Sequence, residues 1–391
     1  MPELPEVEAV RAGLARHVLG RRVERVEVFD ARPLRRQAGG PGAFVRGLED
    51  RVLTAAVRRG KFLWLPLDDG AALVAHLGMS GQLLVRTAAP ASTVTDPPGD
   101  APPGIDPPGA APPGIDPAGI DPAGADPAGA APPGAGARGD GEGSPNADLP
   151  APDGAPPPDL TATRAPTLVR DLSLRPRHLR VRLHLGPRPG DPATGADGPV
   201  AALDLVDQRM LGGLHLAPLV PTADGAPGGR GDDAPLLPAG ATHIARDLLD
   251  PHLDEAGVIG RMRSSRRAVK TLLLDQGIVS GIGNIYADEG LWAARVHGLR
   301  RGEELGPRVT ARILREVAGV MRRALEVGGT SFDALYVDVE GAAGFFARRL
   351  AVYGRAGLPC RRCGTPLRSE VIGGRSHAFC PRCQTRPRSR P

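Results

Sequence analysis

Four cysteines near the end of the chain have the residue type and spacing of a metal site. Cys360 and Cys363 form one Cys-x2-Cys pair, Cys380 and Cys383 form a second, and sixteen residues separate the pairs. Zinc prefers four tetrahedral ligands, and a Cys-x2-Cys turn holds two thiolates at a suitable separation. Four thiolates leave no open position for a substrate, so the spacing predicts one structural Zn2+ in a β-hairpin zinc ribbon. Arginines at positions 361, 362, 368, 375 and 382 lie among these ligands and could bring positive charge to phosphate.

The first residues of the chain could supply a nucleophile. Removal of Met1 would expose the secondary amine of Pro2. An α-amino group has a pKa of about 7.7–8.0, against about 10.4 for lysine, so more of it is uncharged and nucleophilic at neutral pH. Glu3 is close enough to serve as an acid or a base. Proline and glutamate also begin helices well, so for this segment alone an ordinary helix start is the favoured interpretation.

A glycine turn between two helical segments could bind phosphate. Residues 270–289 read as an apolar helix that runs into Gly281-Ile282-Gly283, with Asn284 at the position expected for the N-cap of the next helix. Glycines permit close approach, and free backbone N–H groups at a helix start bind phosphate well. On spacing alone, an ordinary helical hairpin with a glycine turn is an equally good interpretation.

Hydrophobic periodicity indicates the elements that must position these groups. Residues 7–19 have apolar side chains at helical spacing, and Gly20 is placed to end that helix. Short apolar or alternating runs then predict a β-rich body. The predicted strands are Val23–Val28, 52–57, 62–67, 73–77, 83–85, 168–174, Leu179–Leu185 and 201–206. Beyond His243 the periodicity is helical, at 248–249, 269–274, 291–294 and 309–325. The pattern therefore predicts an α+β protein of two or three domains, with a short zinc-binding tail.

Composition divides the chain into an acidic insertion and a basic remainder. Residues 88–165 repeat Pro, Gly, Ala and Asp with almost no large apolar side chains, so we predict a disordered insertion there. This segment carries a net charge of −9, so the formal charge of +5 for the whole chain leaves +14 elsewhere. So basic a body suggests a polyanionic partner, although a merely soluble basic surface remains an alternative. The acidic insertion could compete weakly with such a polyanion for the basic surface, but an inert expansion is the favoured interpretation.

Location and stabilisation can also be predicted from composition. All four cysteines lie beyond position 359, so no disulfide framework can cross-link the rest of the chain. The start of the chain lacks the charged-then-apolar pattern of a signal peptide, and no apolar stretch is long enough to span a membrane. We therefore expect a cytoplasmic protein with no membrane association.

Eight short segments occur together in the order of a known family. They are MPELPEVE at 1–8, RRGKF at 58–62, HLGMSG at 76–81, DQR at 207–209, the helical stretch 270–289, GGTSF at 328–332, VYGR at 352–355 and GGRS at 373–376, followed by the zinc cysteines. With them the chain resembles formamidopyrimidine-DNA glycosylase, the bifunctional 8-oxoguanine repair enzyme of bacteria. The match covers essentially everything outside three insertions, at 88–165, 186–199 and 221–238.

The resemblance implies a mechanism and assigns four catalytic residues. Pro2 would attack C1′ of the damaged nucleotide and form a Schiff base with the opened sugar. Glu3 would protonate the sugar ring oxygen, with Glu6 as a supporting carboxylate. Lys61 would contact the lesion phosphates and assist β-elimination, and Arg375 on the zinc hairpin would assist δ-elimination. The alternatives are a solvated strand lysine for Lys61 and one more exposed arginine for Arg375.

The resemblance also assigns residues that bind DNA. A base inside a duplex cannot be reached, so the enzyme must flip it out. Met79, Arg209 and Leu211 match the side chains that fill the vacated space, with Arg209 facing the orphaned cytosine. Leu211 departs from the phenylalanine that is usual in the family, which predicts weaker lesion interrogation because leucine offers no aromatic face. The loop 333–346 matches the segment that closes over the flipped base. The remaining contacts implied are His76, His178, Arg266, Lys270 and Asn284.

The predicted organisation is a catalytic β-sandwich at 2–222, a helix–two-turn–helix domain at 239–341 and a zinc ribbon at 350–387, with DNA in the cleft between the first two. The expected partner is double-stranded DNA containing oxidised purines, bound by a monomeric enzyme associated with the nucleoid. Two alternatives remain open. One is an endonuclease VIII-like enzyme for oxidised pyrimidines, which the leucine at position 4 disfavours. The other is a non-catalytic zinc-containing DNA-binding protein, which the presence of Pro2, Glu3 and Lys61 disfavours.

Overall fold

The computed structural model describes residues 2–87, 178–188, 191, 200–326 and 349–387. The predicted insertion 88–165, the predicted strand 168–174 and the loop 333–346 lie outside these residues. Among the described helices, none combines the length and the apolar character that crossing a membrane requires.

Helix α1, Leu4–His17, belongs to both of the larger hydrophobic cores. Its first residue, Leu4, packs in the core of the helical domain, whereas Val7, Val10 and Leu14 pack in the core of the β-sandwich. The helix begins three residues earlier than the apolar periodicity predicted, because Leu4 and Pro5 occupy its first turn, where a missing N–H costs nothing. The residues just before α1 are therefore held where the two domains meet.

Two antiparallel sheets form the predicted β-sandwich. The first has the order β1 (Val23–Val28), β6 (Leu179–Leu185), β7 (Val200–Asp207) and β5 (Gly81–Thr87). The second has the order β2 (Val57–Arg59), β3 (Phe62–Pro66), β4 (Ala71–His76), β8 (Gly213–Pro221) and β9 (Leu236–Pro238). Their facing side chains form one core, which includes Leu65 and Leu73 from one sheet and Leu183 and Leu203 from the other. Helix α2, Gly40–Leu48, contributes Phe44 and Leu48 to it.

The sandwich differs from the sequence prediction at three places. The predicted strand 52–57 is reduced to isolated bridges at Val52 and Leu53, and β2 begins only at Val57. Strand β8 was not predicted, because its partly buried side chains and its two prolines obscure the period-two pattern. Strand β9 lies inside the stretch 221–238 that was read as an insertion, and it pairs with β8. The sheet therefore continues past the predicted domain boundary at 222.

The helical domain consists of α3 (Glu255–Arg263), α4 (Val269–Leu273), α5 (Asn284–Ala293) and α6 (Pro307–Leu325). Residues 248–249 form a turn rather than the predicted helical segment. The core of the domain is built around Tyr286, Leu291, Ile313, Val317 and Met321. The turn between α4 and α5 faces the N-terminus of the chain, since the backbone N–H of Leu4 donates to the carbonyl of Gly281 at 3.0 Å.

A β-hairpin carries the cysteine pairs, as predicted. Strands β10 (Arg368–Ile372) and β11 (Arg375–Phe379) pair in antiparallel register around Gly373 and Gly374. Both glycines have positive φ, +56° and +75°, as a two-residue hairpin turn of type I′ requires. Trp292 at the end of α5 packs against this hairpin together with Val352 and Leu367.

Candidate active site

Two turns meet at the start of the chain, and glycines allow their close approach. A Cβ at Gly60, whose φ is +58°, would lie 2.3 Å from the hydroxyl oxygen of Ser280. A Cβ at Gly281 would lie 2.8 Å from a methyl of Leu4, and one at Gly283 would lie 2.3 Å from the carboxyl carbon of Glu3. These glycines let the turn before Lys61 and the turn before Asn284 both press against the N-terminal segment.

The carboxylate of Glu3 occupies the N-terminus of helix α5. Its two oxygens accept backbone N–H groups from Gly283 at 2.7 Å, Ile285 at 2.9 Å and Tyr286 at 3.3 Å. The N-cap position is Gly283 and not Asn284 as predicted, because the capping oxygens come from a side chain 280 residues earlier in the chain. These backbone donors, which the sequence suggested for phosphate, are therefore engaged by Glu3.

Burial sets the protonation state of Glu3. The side chain is almost fully enclosed, and the loss of water raises its pKa to about 7, with Lys61 opposing the rise and Glu6 adding to it. The nearby backbone N–H donors also oppose it. Burial lowers the pKa of Lys61, as does Arg375, while Glu3 and Glu6 raise it. A carboxyl group that is half protonated near neutral pH is suited to general acid catalysis.

Glu6 supports Glu3 from within the same helix. One Glu6 oxygen accepts the backbone N–H of Glu3 at 2.9 Å, and the other accepts the hydroxyl of Tyr286 at 2.9 Å. Tyr286 is completely buried in the core of the helical domain. The first turn of α1 is thus fixed to α5 by side chains as well as by backbone.

The turn that precedes Lys61 is held in place by a buried ionic framework. Arg58 donates to Glu8 at 2.8 Å and to Asp247 at 2.7 Å, and the backbone N–H of Gly60 donates to the same Asp247 oxygen at 3.0 Å. Arg58 and both carboxylates are almost entirely removed from solvent. The framework fixes the turn that ends at Lys61 to helix α1 and to the start of the helical domain.

A cavity of about 750 Å³ brings together all four predicted catalytic residues. Pro2 and Glu3 come from the start of the chain, Lys61 from the turn before β3, and Arg375 from the zinc hairpin. The size is that of sites that hold small organic molecules. Asn284, His76 and Met79 also line the cavity, together with Phe62, His243, Tyr353 and Ser376.

Asn284 is held by two residues to which the sequence pattern assigned no individual role. Its amide nitrogen donates to the hydroxyl of Ser376 at 3.1 Å. Asn284 also forms a hydrogen bond with Tyr353. Burial raises the pKa of Tyr353, and this hydrogen bond partly opposes the rise. Both partners lie in the matched segments 352–355 and 373–376, so the motifs contained the signal. Asn284 therefore links helix α5 to the zinc hairpin at the cavity wall.

Met79, Arg209 and Leu211 lie on two neighbouring loops. Met79 and Leu211 are large apolar side chains that remain 41% and 40% exposed, and Arg209 is also exposed. The loops touch, since a Cβ at Gly78 would lie 2.6 Å from the carbonyl carbon of Leu211. Exposed apolar side chains of this kind are suited to insertion between bases.

The remaining predicted DNA contacts fall at separate places. His76 is partly buried, and its Nδ1 accepts the backbone N–H of Gly78 at 3.0 Å. His178 has a positive φ of +72° and lies at the start of β6, with Arg180 at 3.4 Å from its ring. Arg266 is 86% exposed and lies 3.6 Å from Glu303. Of these three, only His76 lines the cavity.

The structure corrects the prediction for Lys270. This side chain is completely buried, and its ammonium donates to Asp288 at 2.6 Å and to the backbone carbonyl of Ser376. Asp288 also accepts from the Nδ1 of His377 at 2.7 Å and from the backbone N–H of Ala378 at 2.9 Å. Lys270 therefore fixes the zinc hairpin to helix α5 instead of reaching a phosphate. The sequence pattern could not show this, because Lys270, Asp288 and the segment 376–378 are far apart in the chain.

The four cysteines fit the predicted zinc ion. Their sulfur atoms all lie within 4.8 Å of one another. A tetrahedron with Zn–S bonds of about 2.3 Å has sulfur atoms about 3.8 Å apart, so the cluster needs little adjustment. Arg362 stacks over the ring of Trp292 at 4.1 Å, and Trp292 donates to the sulfur of Cys360 at 3.5 Å. The site holds one structural zinc, and it fixes the hairpin that carries Arg375.

Family models match three parts of the chain. The formamidopyrimidine-DNA glycosylase N-terminal domain matches residues 1–103, the H2TH domain of the same enzyme matches 244–335, and a zinc finger found in FPG and IleRS matches 357–386. A formamidopyrimidine-DNA glycosylase of Nocardioides sp. is 42% identical over 390 residues, which is all of this chain and 96% of that protein. The chain belongs to the formamidopyrimidine-DNA glycosylase family. It is therefore a DNA glycosylase and abasic-site lyase of base-excision repair.

Further relatives and solved structures agree with this membership. The enzyme of Salinispora arenicola is 40% identical over 99% of this chain and 98% of its own length. Among solved structures, a Lactococcus lactis FPG mutant with DNA containing Fapy-dG has a TM-score of 0.63 and 20% identity, covering 98% of this chain and all of that one. The wild-type Lactococcus lactis enzyme bound to DNA with an oxidised pyrimidine has a TM-score of 0.62 at the same identity and coverage. At this identity the structural likeness shows the fold.

Proposed function

We propose that this glycosylase excises oxidised purines from duplex DNA as a monomer and cleaves the strand through a Schiff base on Pro2. The observation that carries the proposal is the setting of Glu3. Its carboxyl group has a pKa of about 7, is anchored on the N-terminus of α5, and faces the same cavity as Pro2, Lys61 and Arg375. An acid, a candidate amine and two cations thus share one pocket of nucleoside size.

The first half of the reaction removes the base. The Pro2 nitrogen bonds to C1′, and the bond between C1′ and the base breaks with its electron pair on the base, which takes up the proton lost from the Pro2 nitrogen. The protonated Glu3 gives its proton to the sugar ring oxygen, so that the ring opens and a cationic Schiff base remains. The helix N-terminus then stabilises the Glu3 carboxylate that results.

The second half cleaves the strand. Loss of a C2′ proton from the Schiff base expels the 3′ phosphate in β-elimination, and a further proton loss expels the 5′ phosphate in δ-elimination. Lys61 and Arg375 supply positive charge for these phosphates. Asn284 and Ser376 line the same cavity and are hydrogen-bonded to each other, and we assign them to binding of the DNA strand.

Borohydride trapping tests the proposal. The protein is incubated with duplexes containing 8-oxoguanine, an oxidised pyrimidine or undamaged guanine. A covalent complex is expected with 8-oxoguanine, and mass spectrometry of the digested complex is expected to place the DNA on Pro2. A form with an extra residue between Met1 and Pro2, in which the ring nitrogen is blocked, should not be trapped. Preferred trapping on the pyrimidine duplex would refute the purine assignment, and a cross-link on any other residue would refute the nucleophile.

A further inference from the structure

The loops that carry Met79, Arg209 and Leu211 are joined by one buried carboxylate. Asp207 is the last residue of strand β7 and is completely enclosed. Its Oδ1 accepts the hydroxyl of Ser80 at 2.6 Å and the backbone N–H of Arg209 at 3.0 Å, and its Oδ2 accepts the backbone N–H of Gly212 at 2.7 Å. The first donor, Ser80, immediately follows Met79. The second is Arg209 itself, and the third, Gly212, immediately follows Leu211.

Backbone packing leaves the two loops little independent freedom. Gly78 has a φ of +61°, and a Cβ there would lie within 2.7 Å of three backbone atoms of Leu211 and Gly212. Arg35 donates to the carbonyls of Gly212 at 2.8 Å and Leu211 at 3.0 Å from the outer side. Met210 has a positive φ of +58°, which a residue with a side chain adopts only when its surroundings impose it.

We infer that Asp207 and Ser80 are positioning residues that make Met79, Arg209 and Leu211 a single preformed unit for filling the space that a flipped base leaves. This inference rests on the proposed function. It adds that the preference for one particular base opposite the lesion depends on a carboxylate that does not itself contact DNA. Because Arg209 is aimed by its backbone bond to Asp207, discrimination between an opposite cytosine and an opposite adenine requires the junction. Because the loops are already ordered before DNA binds, less conformational entropy is lost on binding.

The junction uses both carboxylate oxygens of Asp207 as hydrogen-bond acceptors. An asparagine would keep the volume of the side chain but would replace one acceptor oxygen by an NH2 donor. That NH2 group would face other donors, either the N–H of Gly212 or the donors of Ser80 and Arg209. Ser80→Ala removes the hydroxyl, which donates to Asp207 and also accepts the backbone N–H of Arg209 at 3.1 Å, and leaves the two backbone bonds to Asp207 intact. The first change places a donor against at least one loop that flanks Arg209, whereas the second loosens the link between the Met79 loop and Arg209 but keeps the bond from Arg209 to Asp207.

Asp204 provides a matched control. It lies three residues earlier on the same strand, is equally buried, and accepts from Arg182 at 2.6 Å and Arg86 at 2.9 Å inside the sandwich. Asp204→Asn therefore reports the cost of disturbing a buried carboxylate in β7 without touching either loop. All variants are purified as the full chain and compared at equal fractions folded.

The experiment measures single-turnover excision of 8-oxoguanine opposite cytosine and opposite adenine, and strand cleavage at a preformed abasic site. Asp207→Asn is expected to slow excision opposite cytosine by about tenfold or more, to reduce the cytosine-over-adenine ratio towards one, and to leave abasic-site cleavage within about twofold. Ser80→Ala should reduce the rate opposite cytosine with less effect on the ratio. Asp204→Asn should leave the ratio unchanged.

The outcomes separate this inference from the proposed function. If the unaltered protein cleaves abasic DNA but does not excise 8-oxoguanine, the purine assignment fails first. If excision is normal and Asp207→Asn keeps the cytosine-over-adenine ratio, the positioning role is wrong. A parallel loss of excision and abasic cleavage in Asp207→Asn and Asp204→Asn alike would also overturn it, because it would show a purely structural role.

Discussion

The ammonium of Lys270 lies 2.6 Å from a carboxylate oxygen of Asp288, and neither side chain reaches solvent. Burial lowers the pKa of Lys270, and Asp288 opposes that shift. With His377 on the same carboxylate, the pair joins α4, α5 and β11. The zinc hairpin is therefore fixed at two ends, by its cysteines and by this buried pair.

Breaking the pair is expected to destabilise the protein strongly. Lys270→Met leaves the Asp288 charge buried and uncompensated, which costs about 3–5 kcal/mol in the free energy of unfolding. Urea denaturation measures this. The control is Arg266→Met, which removes an 86% exposed arginine 3.6 Å from Glu303 and should cost less than about 1 kcal/mol. An unchanged stability in Lys270→Met, with a reduced salt dependence of DNA binding, would instead restore Lys270 as a phosphate contact.

Excision should depend on the protonation of Glu3. Its pKa of about 7 means that the acid form is lost as pH rises through neutrality, so single-turnover excision is expected to fall above pH 7. Glu3→Gln should lower the rate by roughly 10²–10⁴ and remove that limb of the profile. Rates measured from pH 5.5 to 9 on an 8-oxoguanine duplex test this. A wild-type profile that is flat across pH 7 would contradict the assignment of Glu3 as the acid.

The same group should make folding stability depend on pH. Because the pKa of Glu3 is raised in the folded state, its contribution is fully present below its unfolded value of 4.5 and is lost as pH rises through about 7. A shift of this size corresponds to a loss on the order of 3 kcal/mol. Denaturation at pH 5 and pH 8.5 measures this. The difference in the free energy of unfolding between the two pH values should be smaller for Glu3→Gln than for the wild type.

Zinc removal should impair δ-elimination more than base excision. Arg375 is placed by the hairpin, whereas Pro2, Glu3 and Lys61 are placed by α1 and the sandwich. After chelation, the Lys270–Asp288 pair still holds one side of the hairpin. We expect β-elimination product to accumulate at the expense of δ-elimination product on an abasic duplex, with recovery when Zn2+ is returned. Equal loss of both products would show that the ribbon is needed for DNA binding as a whole.

Leu211→Phe should strengthen the interrogation of DNA. A phenylalanine adds a face for stacking, which is worth about 1 kcal/mol over an aliphatic wedge, or about fivefold in affinity for a lesion duplex. Leu211 is 40% exposed, so the larger ring has space. Fluorescence anisotropy with a non-cleavable abasic analogue measures the change, with Leu358→Phe, at an exposed position on the zinc tail, as a control. No gain would refute the proposed weakness.

The sequence predicted the cysteine site, the sandwich and the helical domain because their signals are local or periodic. It could not predict the roles of Asp288, Asp207 and Asp247, whose partners lie far apart in the chain and meet only after folding. The misplacement of Asn284 as an N-cap has the same origin, since the capping oxygens belong to Glu3. Strand β8 was missed because its partial burial weakens the period-two alternation that identifies a strand.

The position of helix α1 also affects how this enzyme folds into an active form. Leu4 is surrounded by the helical domain while Val7 and Val10 are surrounded by the sandwich, so neither half can complete its interior alone. The proposed nucleophile precedes this helix by two residues and gains its neighbours only when both halves have closed upon it. A partly folded chain would therefore carry the amine without Glu3 and Lys61 beside it, and the catalytic set is complete only once both halves have folded.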